Sequence, residues 1–290
     1  MATRPAAVAG TWYPASAGAL TREVDGYLAD ASVECGGEIR AIVAPHAGLM
    51  FSGPVGAYAY KAIAAQQYDV AVLVGPSHFV AFEGVAIYPE GAFATPLGPA
   101  VIDAATAATL SQSGLIAAMP SVHTREHSLE MQLPFLRRVC PDLPIVPLLM
   151  GQQERSTIEH LAVSLSGVLR DRRALLVAST DLSHYFDAKT AAGLDGEVLS
   201  RVDRFDVHGL FELFEGYREA DRGRFVGCGM GPALSVMLAA RTLGARTARV
   251  LRYGHSGQIS GDLGGVVGYM AAAIGTLTDR PRTSHGAATS

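Results

Sequence analysis

Charge is scarce in this 290-residue chain: only 17% of its residues are Asp, Glu, Lys or Arg, and they leave a formal net charge of −4. That balance argues against nucleic acid or an anionic membrane as the partner, since both select basic faces. Cysteine is scarcer still. Cys35, Cys140 and Cys228 are odd in number and irregularly spaced, so no disulfide framework is indicated and reduced thiols are expected. No stretch approaches the roughly 18 uninterrupted apolar residues of a membrane span. The apolar run within MATRPAAVAGTWYP is too short for the core of a secretory leader, and the chain reads as cytoplasmic. Several catalytic signatures are missing as well. There is no G-x-S-x-G elbow, no HExxH and no CxxC, which removes support for a hydrolase triad, a zincin or a zinc ribbon. The glycine-rich HSGQISGD segment could cradle an anion through its amides, but it lacks the GKS/GKT ending and the G-x-G-x-x-G spacing of phosphate loops.

Apolar residues are plentiful, at 49%, enough for a substantial core. They fall into short continuous runs that predict strands at 39–44, 69–74, 84–88, 144–149, 174–178, 248–253 and 264–272. Between them lie helical patterns: one capped by Ser16, one at 54–65 with Pro54 in its first position, one at 100–112, and one from 126 that Pro134 kinks or restarts. Further helices are expected at 155–169, 188–202 and 206–215, and from the GCGMGP segment to 243. Continuous apolar strands alternating with helices predict an α/β fold, a single domain with a mostly parallel central sheet covered by helices. The domain is expected over 1–277, and 278–290 has the composition of a disordered tail, so His285 is set aside.

Three of the strands end on metal-capable side chains. IVAPHAG (42–48) and VLVGPSHF (72–79) each pass from β-branched and leucine residues through a proline to a histidine, His46 and His78, and LLVASTDLSHY (175–185) delivers Asp181 and His184. Ligands of open α/β sheets bind outside the carboxyl ends of the strands, so three such ends suggest one site. A strand end holds an imidazole rigidly, as a metal requires; either histidine alone would as readily bond a loop carbonyl, and the matched pair is what points to metal. Cys228 sits between glycines directly ahead of a helix, whose amides and dipole stabilise a thiolate. The competing reading is a small buried hydrophobe, which suits Cys35 and Cys140. Asp181 and His184 serve either as an orienting carboxylate and a general acid/base, or as a turn cap with its satisfied histidine. His127 and Glu130 stand at i, i+3 on the helix expected from 126, a spacing shared by carboxylate-bridged metal sites and by helix-stabilising pairs.

In order and spacing, GTWYP, IVAPHAG, VLVGPSHF, EHSLEMQLPFL, STDLSHY and the GCG before a helix resemble the Memo family, which includes the bacterial AmmeMemoRadiSam system protein B. The resemblance runs from Gly10 to about Ala272. It implies the fold of class III extradiol ring-cleaving dioxygenases and a metal held by His46, His78 and Cys228. It also implies that Asp181, His184, His127 and Trp12 of the GTWYP turn line the pocket, with Glu130 beside His127 as a further candidate. The metal it implies is Fe(II) or copper rather than zinc, with redox chemistry; a metal-independent role, including phosphopeptide binding, has been proposed for an animal member. The dioxygenases use two histidines and a carboxylate. A thiolate in the third place donates more charge, favours soft ions such as Cu(I) and is itself oxidisable, so ring cleavage does not carry over unchanged. The expectation is a Memo-like protein with dioxygenase-like redox activity on a small aromatic or peptide-borne substrate, His184 acting as acid/base and Asp181 orienting it. The alternatives are a peptide- or anion-binding module without turnover and a zinc-dependent hydrolase. The sequence sets no oligomeric state.

Overall fold

The valine-, leucine- and alanine-rich runs assemble into one nine-stranded mixed sheet in the computed structural model of the chain, which describes residues 3–279. In chain order the strands are β1 (Cys35–Ala44), β2 (Val70–Pro76), β3 (Val85–Ile87), β4 (Ile116–Ala118), β5 (Ile145–Met150), β6 (Ala174–Ser179), β7 (His184–Phe186), β8 (Thr247–His255) and β9 (Val266–Asp279). Across the sheet they run β7-β9-β1-β6-β2-β5-β3-β4, with β8 also paired to β9. The expected parallel sheet is its centre, where β1, β6, β2 and β5 lie parallel. Both flanks turn antiparallel: β9 opposes β1, β7 and β8, and β3 opposes β5.

Every residue of β2, β5 and β6 is buried, because helices cover both faces. One group comprises Ala17–Asp30, Leu49–Ile63 and Leu133–Val139; the other comprises Arg155–Val168, Ala188–Asp203, Val207–Glu215 and Met230–Thr242. Ser16 caps the first of these helices by accepting the Ala19 N–H at 3.2 Å. Among the described residues, no single helix is long and apolar enough to cross a membrane.

Three expectations change on inspection. The helix after PHAG starts at Leu49, not at Pro54, which lies inside it. Pro54 is the sixth residue of that helix, beyond the N–H groups left unpaired at its start, so the ladder gives up one bond there; the Ser52 N–H already closes the first turn on the Gly48 carbonyl at 3.1 Å, and the helix begins directly after the His46 loop. No α-helix forms at 126. The Glu126 carboxylate accepts the N–H groups of His127 and Ser128, both at 2.9 Å, and holds turns there. A 3₁₀ turn, Glu130–Gln132, leads into Leu133–Val139, so His127 and Glu130 share no helical face. Finally, β9 continues to Asp279, two residues into the expected tail; the rest of that tail, 280–290 with His285, lies outside the described residues.

Glu130 instead ties down the start of the chain. Its carboxylate, fully buried, accepts from Arg4 Nη1 at 2.6 Å, from the N–H groups of Ala7 and Val8 at 2.8 and 3.0 Å, and from the Tyr13 hydroxyl at 2.7 Å. Arg4, also buried, donates from Nε to the His123 carbonyl at 2.6 Å. Removing one partner of such a pair strands a buried charge. Glu130→Ala is therefore expected to lower the unfolding free energy by about 3–5 kcal/mol, and Arg4→Ala by a similar amount. Urea denaturation of both variants and of the double variant checks this: the double loss should fall well short of the sum, and additive losses would show that the two do not act as a pair.

Candidate metal centre

Because β1, β2 and β6 run parallel and in register, with Ala44 opposite Ser179 and Val74 opposite Ala178, the segments that leave them emerge side by side. His46 follows β1 by two residues, His78 follows β2 by two, and Asp181 follows β6 by two. Cys228 arrives from the other direction, in the turn ahead of Met230–Thr242. Glycine permits that approach: a Cβ on Gly229 would lie 2.1 Å from the Ser179 carbonyl oxygen. The Gly229 N–H donates to Thr180 Oγ1 at 3.0 Å, and Gln153 Nε2 donates to the Cys228 carbonyl at 2.6 Å, fixing the turn from both sides. One donor atom each from His46, His78 and Cys228 then lies within 4.8 Å of the others. Cys228 Sγ lies 3.2 Å from His46 Nε2.

The surrounding hydrogen bonds decide which ring nitrogens face the centre. Gln132 Nε2 lies 3.0 Å from the Pro45 carbonyl and 2.8 Å from Ser179 Oγ, while Gln132 Oε1 accepts from the Tyr60 hydroxyl at 2.9 Å. A carbonyl only accepts, so the amide orientation is set. Ser179 Oγ gives its proton to the Ser128 carbonyl at 2.6 Å, and must therefore accept from His46 Nδ1 at 2.8 Å. His46 thus carries its proton on Nδ1 and presents a bare Nε2 lone pair to Cys228. His78 is arranged likewise, with Nδ1 2.9 Å from Glu126 Oε1, which leaves its Nε2 free. Carboxylates and hydroxyls behind the imidazoles are what orient metal-binding histidines.

Burial sets the charge states. It holds His46 well below the ordinary histidine range, with His78 and His127 adding to the effect, and pushes His127 down to about 4, aided by His78. Asp181 is pushed up to about 7 by burial, against the backbone N–H bonds it accepts from His46 and Ala47. The Cys228 thiol is pushed up as well, by burial first and then by Asp181. That runs against the expectation of a thiolate stabilised by the helix: Cys228 stands two residues ahead of it, and loss of water outweighs the backbone N–H bonds that favour the thiolate.

The other expected residues divide. Trp12, 36% exposed, lies with its ring 4.2 Å from that of His127. His127 in turn stacks on His78 at 4.5 Å. Both therefore border the three-residue cluster. Asp181 Oδ1 accepts the His46 N–H at 2.7 Å, so it orients the His46 backbone instead of His184. His184 is close enough to affect His46 electrostatically, and its own protonation is disfavoured by burial. Glu130 stands apart, its carboxylate engaged by Arg4 and the N-terminal segment. Sequence reasoning missed Glu126, Ser179, Gln132 and Gln153. Glu126 and Gln132 lie within EHSLEMQLPFL and Ser179 begins STDLSHY, so proximity to those motifs was the available signal; Gln153 had none. Access is graded. His46 is 2% exposed, whereas the His78 side chain is 27% exposed and borders a cavity of about 430 Å³.

Comparison with known proteins agrees with this arrangement of motifs. Residues 4–273 match the family pattern described as Memo, Memo-like protein. A MEMO1 family protein of Methanobrevibacter smithii is 34% identical over 280 residues, covering 92% of this chain and 97% of its own. One from Thermotoga neapolitana is 32% identical, with 93% and 99% covered. The crystal structure of uncharacterized protein JW3007 from Escherichia coli K12 shares the fold at a TM-score of 0.57 and 16% identity, over 81% of this chain and 99% of that one. With a family pattern spanning almost the whole fold and relatives a third identical along it, the chain belongs to the Memo family.

Proposed function

We propose that this protein binds a single Fe(II) or copper ion through His46 Nε2, His78 Nε2 and Cys228 Sγ, and uses it in redox, dioxygenase-like chemistry on a small aromatic or peptide-borne molecule. The observation that carries the reading is the convergence of three donor atoms within 4.8 Å, two of them imidazole nitrogens whose opposite ring positions are already hydrogen-bonded. The donor set fits such an ion: two neutral nitrogens and one sulfur suit borderline and soft metals, and three protein ligands leave positions open. When bound, the ion would supply one-electron chemistry and open coordination positions.

The chain's own residues supply the rest. Ser179 and Glu126 hold the two imidazoles in the donor tautomer. Asp181 and Gln153 fix the backbones of His46 and Cys228. His184, beside the cluster, is the candidate to receive or return a proton. Trp12, Met50 and Phe51 border an apolar groove of about 500 Å³, and this supports a peptide-borne substrate over a small diffusible one as a second reading.

Metal analysis of protein purified without added metal tests the proposal. Iron or copper near one per chain, with oxygen uptake on adding Fe(II), is the expected result; stoichiometric zinc would favour a hydrolase, and no metal a binding module. His46→Ala and His78→Ala should each weaken Fe(II) or Cu(I) binding at least roughly tenfold, with circular dichroism unchanged. Wild-type metal content in both variants would sink the ligand assignment. Glu126→Gln puts an amide where His78 needs a carboxylate, so metal affinity should fall by roughly 10–100-fold although no ligand is touched; competition with a chromophoric chelator measures it. Cys228→Ser should weaken Cu(I) more than Fe(II), because a hydroxyl is a poor partner for a soft ion, and equal losses for the two ions would remove sulfur from the site.

A further inference from the structure

Helix Glu219–Phe225 carries a cation that the metal reading leaves unused. Arg222 borders the cavity of about 430 Å³ that also reaches His78, Phe79, Gln153 and Glu219. Its guanidinium lies over the ring of Phe214, 4.8 Å from the centroid, and its Nε donates to the Tyr217 carbonyl at 3.2 Å. These two contacts hold the group in place and occupy its Nε edge. Among the described residues, its terminal nitrogens meet no hydrogen-bond acceptor and no carboxylate pairs with it.

The nearby acids do not change this. Glu215 feels the charge of Arg222, but both its oxygens accept from Arg155. Glu219 borders the same cavity without forming an ion pair. A second guanidinium, that of Arg125, lies over Phe79 at 5.0 Å. Arg222 also stands close to the proposed centre through its neighbour: a Cβ on Gly223 would be 3.7 Å from Cys228 Cα. The cavity thus has a candidate metal ligand on one side and an unpaired, pre-oriented guanidinium on another.

An arginine held over an aromatic ring with its terminal nitrogens open matches the two oxygens of a carboxylate, and less ordering is left to be lost on binding. The volume of about 430 Å³ is ample for a molecule of one ring. We propose that this cavity selects a small aromatic carboxylate, with its carboxylate on Arg222 and its ring along Phe79, directed toward His78. The inference deepens the metal-centre reading by assigning a charge to the substrate, and rests on that reading only for where reaction would occur.

Isothermal calorimetry with 4-hydroxybenzoate and its uncharged counterpart 4-hydroxybenzyl alcohol tests it, on protein as purified and again after treatment with a chelator. The carboxylate should bind at least roughly tenfold more tightly than the alcohol, the worth of a charge-assisted hydrogen bond. Arg222→Gln should erase that preference, Arg222→Lys should keep part of it, and Glu219→Gln should strengthen it by removing a nearby negative charge. Arg222→Lys retains the charge and the stem, so it remains informative if the glutamine variant folds poorly. Equal affinity for the two probes, binding of neither in either form, or a preference that survives Arg222→Gln overturns the proposal. The chelator-treated arm separates the two readings, since a chain that never holds metal can still show the Arg222-dependent preference, and a metal-binding chain can lack it.

Discussion

A buried carboxylate sets the geometry of this site. The Glu126 side chain is 2% exposed and accepts from the His78 N–H at 2.6 Å, from His78 Nδ1 at 2.9 Å, and from the N–H groups of His127 and Ser128 at 2.9 Å each. Burial alone would push its carboxyl up, but the bonds from His78 and Ser128 outweigh it and hold the group at about 2. A charge taken out of water must be surrounded by donors, and that requirement locks the turn after β2 to the 126–128 segment. The stacking of Trp12, His127 and His78 depends on the lock. So does the N-terminal segment, because Arg4 Nη2 donates to the Glu126 carbonyl as well as pairing with Glu130 through Nη1.

His46 is held by different chemistry. Its support is a chain of neutral groups, Tyr60 to Gln132 to Ser179, terminated by the carbonyls of Pro45 and Ser128. The two histidine rings therefore rest on different frameworks, one built on the Glu126 carboxylate and the other on uncharged groups. Ser128 belongs to both, since its N–H binds Glu126 and its carbonyl accepts from Ser179. A buried network in which each member has a partner is rigid in a way that separate contacts are not.

Much of this could be read from the sequence, and the boundary is physical. Strand positions and the gathering of His46, His78 and Asp181 follow from apolar runs that stop at polar residues, because parallel strands end together; Cys228 reaches the same place from a turn ahead of a helix, and only the resemblance to a family points there. Mixed flanks were not legible: nothing in the composition of β7 or β3 states which neighbour it pairs with. The helix expected from 126 failed because a side chain, Glu126, competes for backbone N–H groups, and a count of apolar spacing does not see that competition. The same blindness placed Glu130 beside His127. Its true partner, Arg4, lies 126 residues away in sequence, and only the fold brings them together. The Cys228 thiol reads as a stabilised thiolate from its place ahead of a helix, and a sequence does not show the burial that pushes it up.

The long strand β9 has a consequence for how the molecule is made. It lies between β1 and β7, and Gly268 within it exchanges backbone hydrogen bonds with Leu182 and Ser183, in the segment that presents Asp181 and His184. A chain leaving the ribosome has exposed His46, His78 and Cys228 well before this strand is available. Until Val266–Asp279 is inserted, β1 lacks its antiparallel neighbour and presents an open edge beside the His46 loop. Contacts so distant in sequence close slowly. The nascent protein therefore passes through an interval in which His46, His78 and Cys228 are already present without the strand that completes the sheet around them.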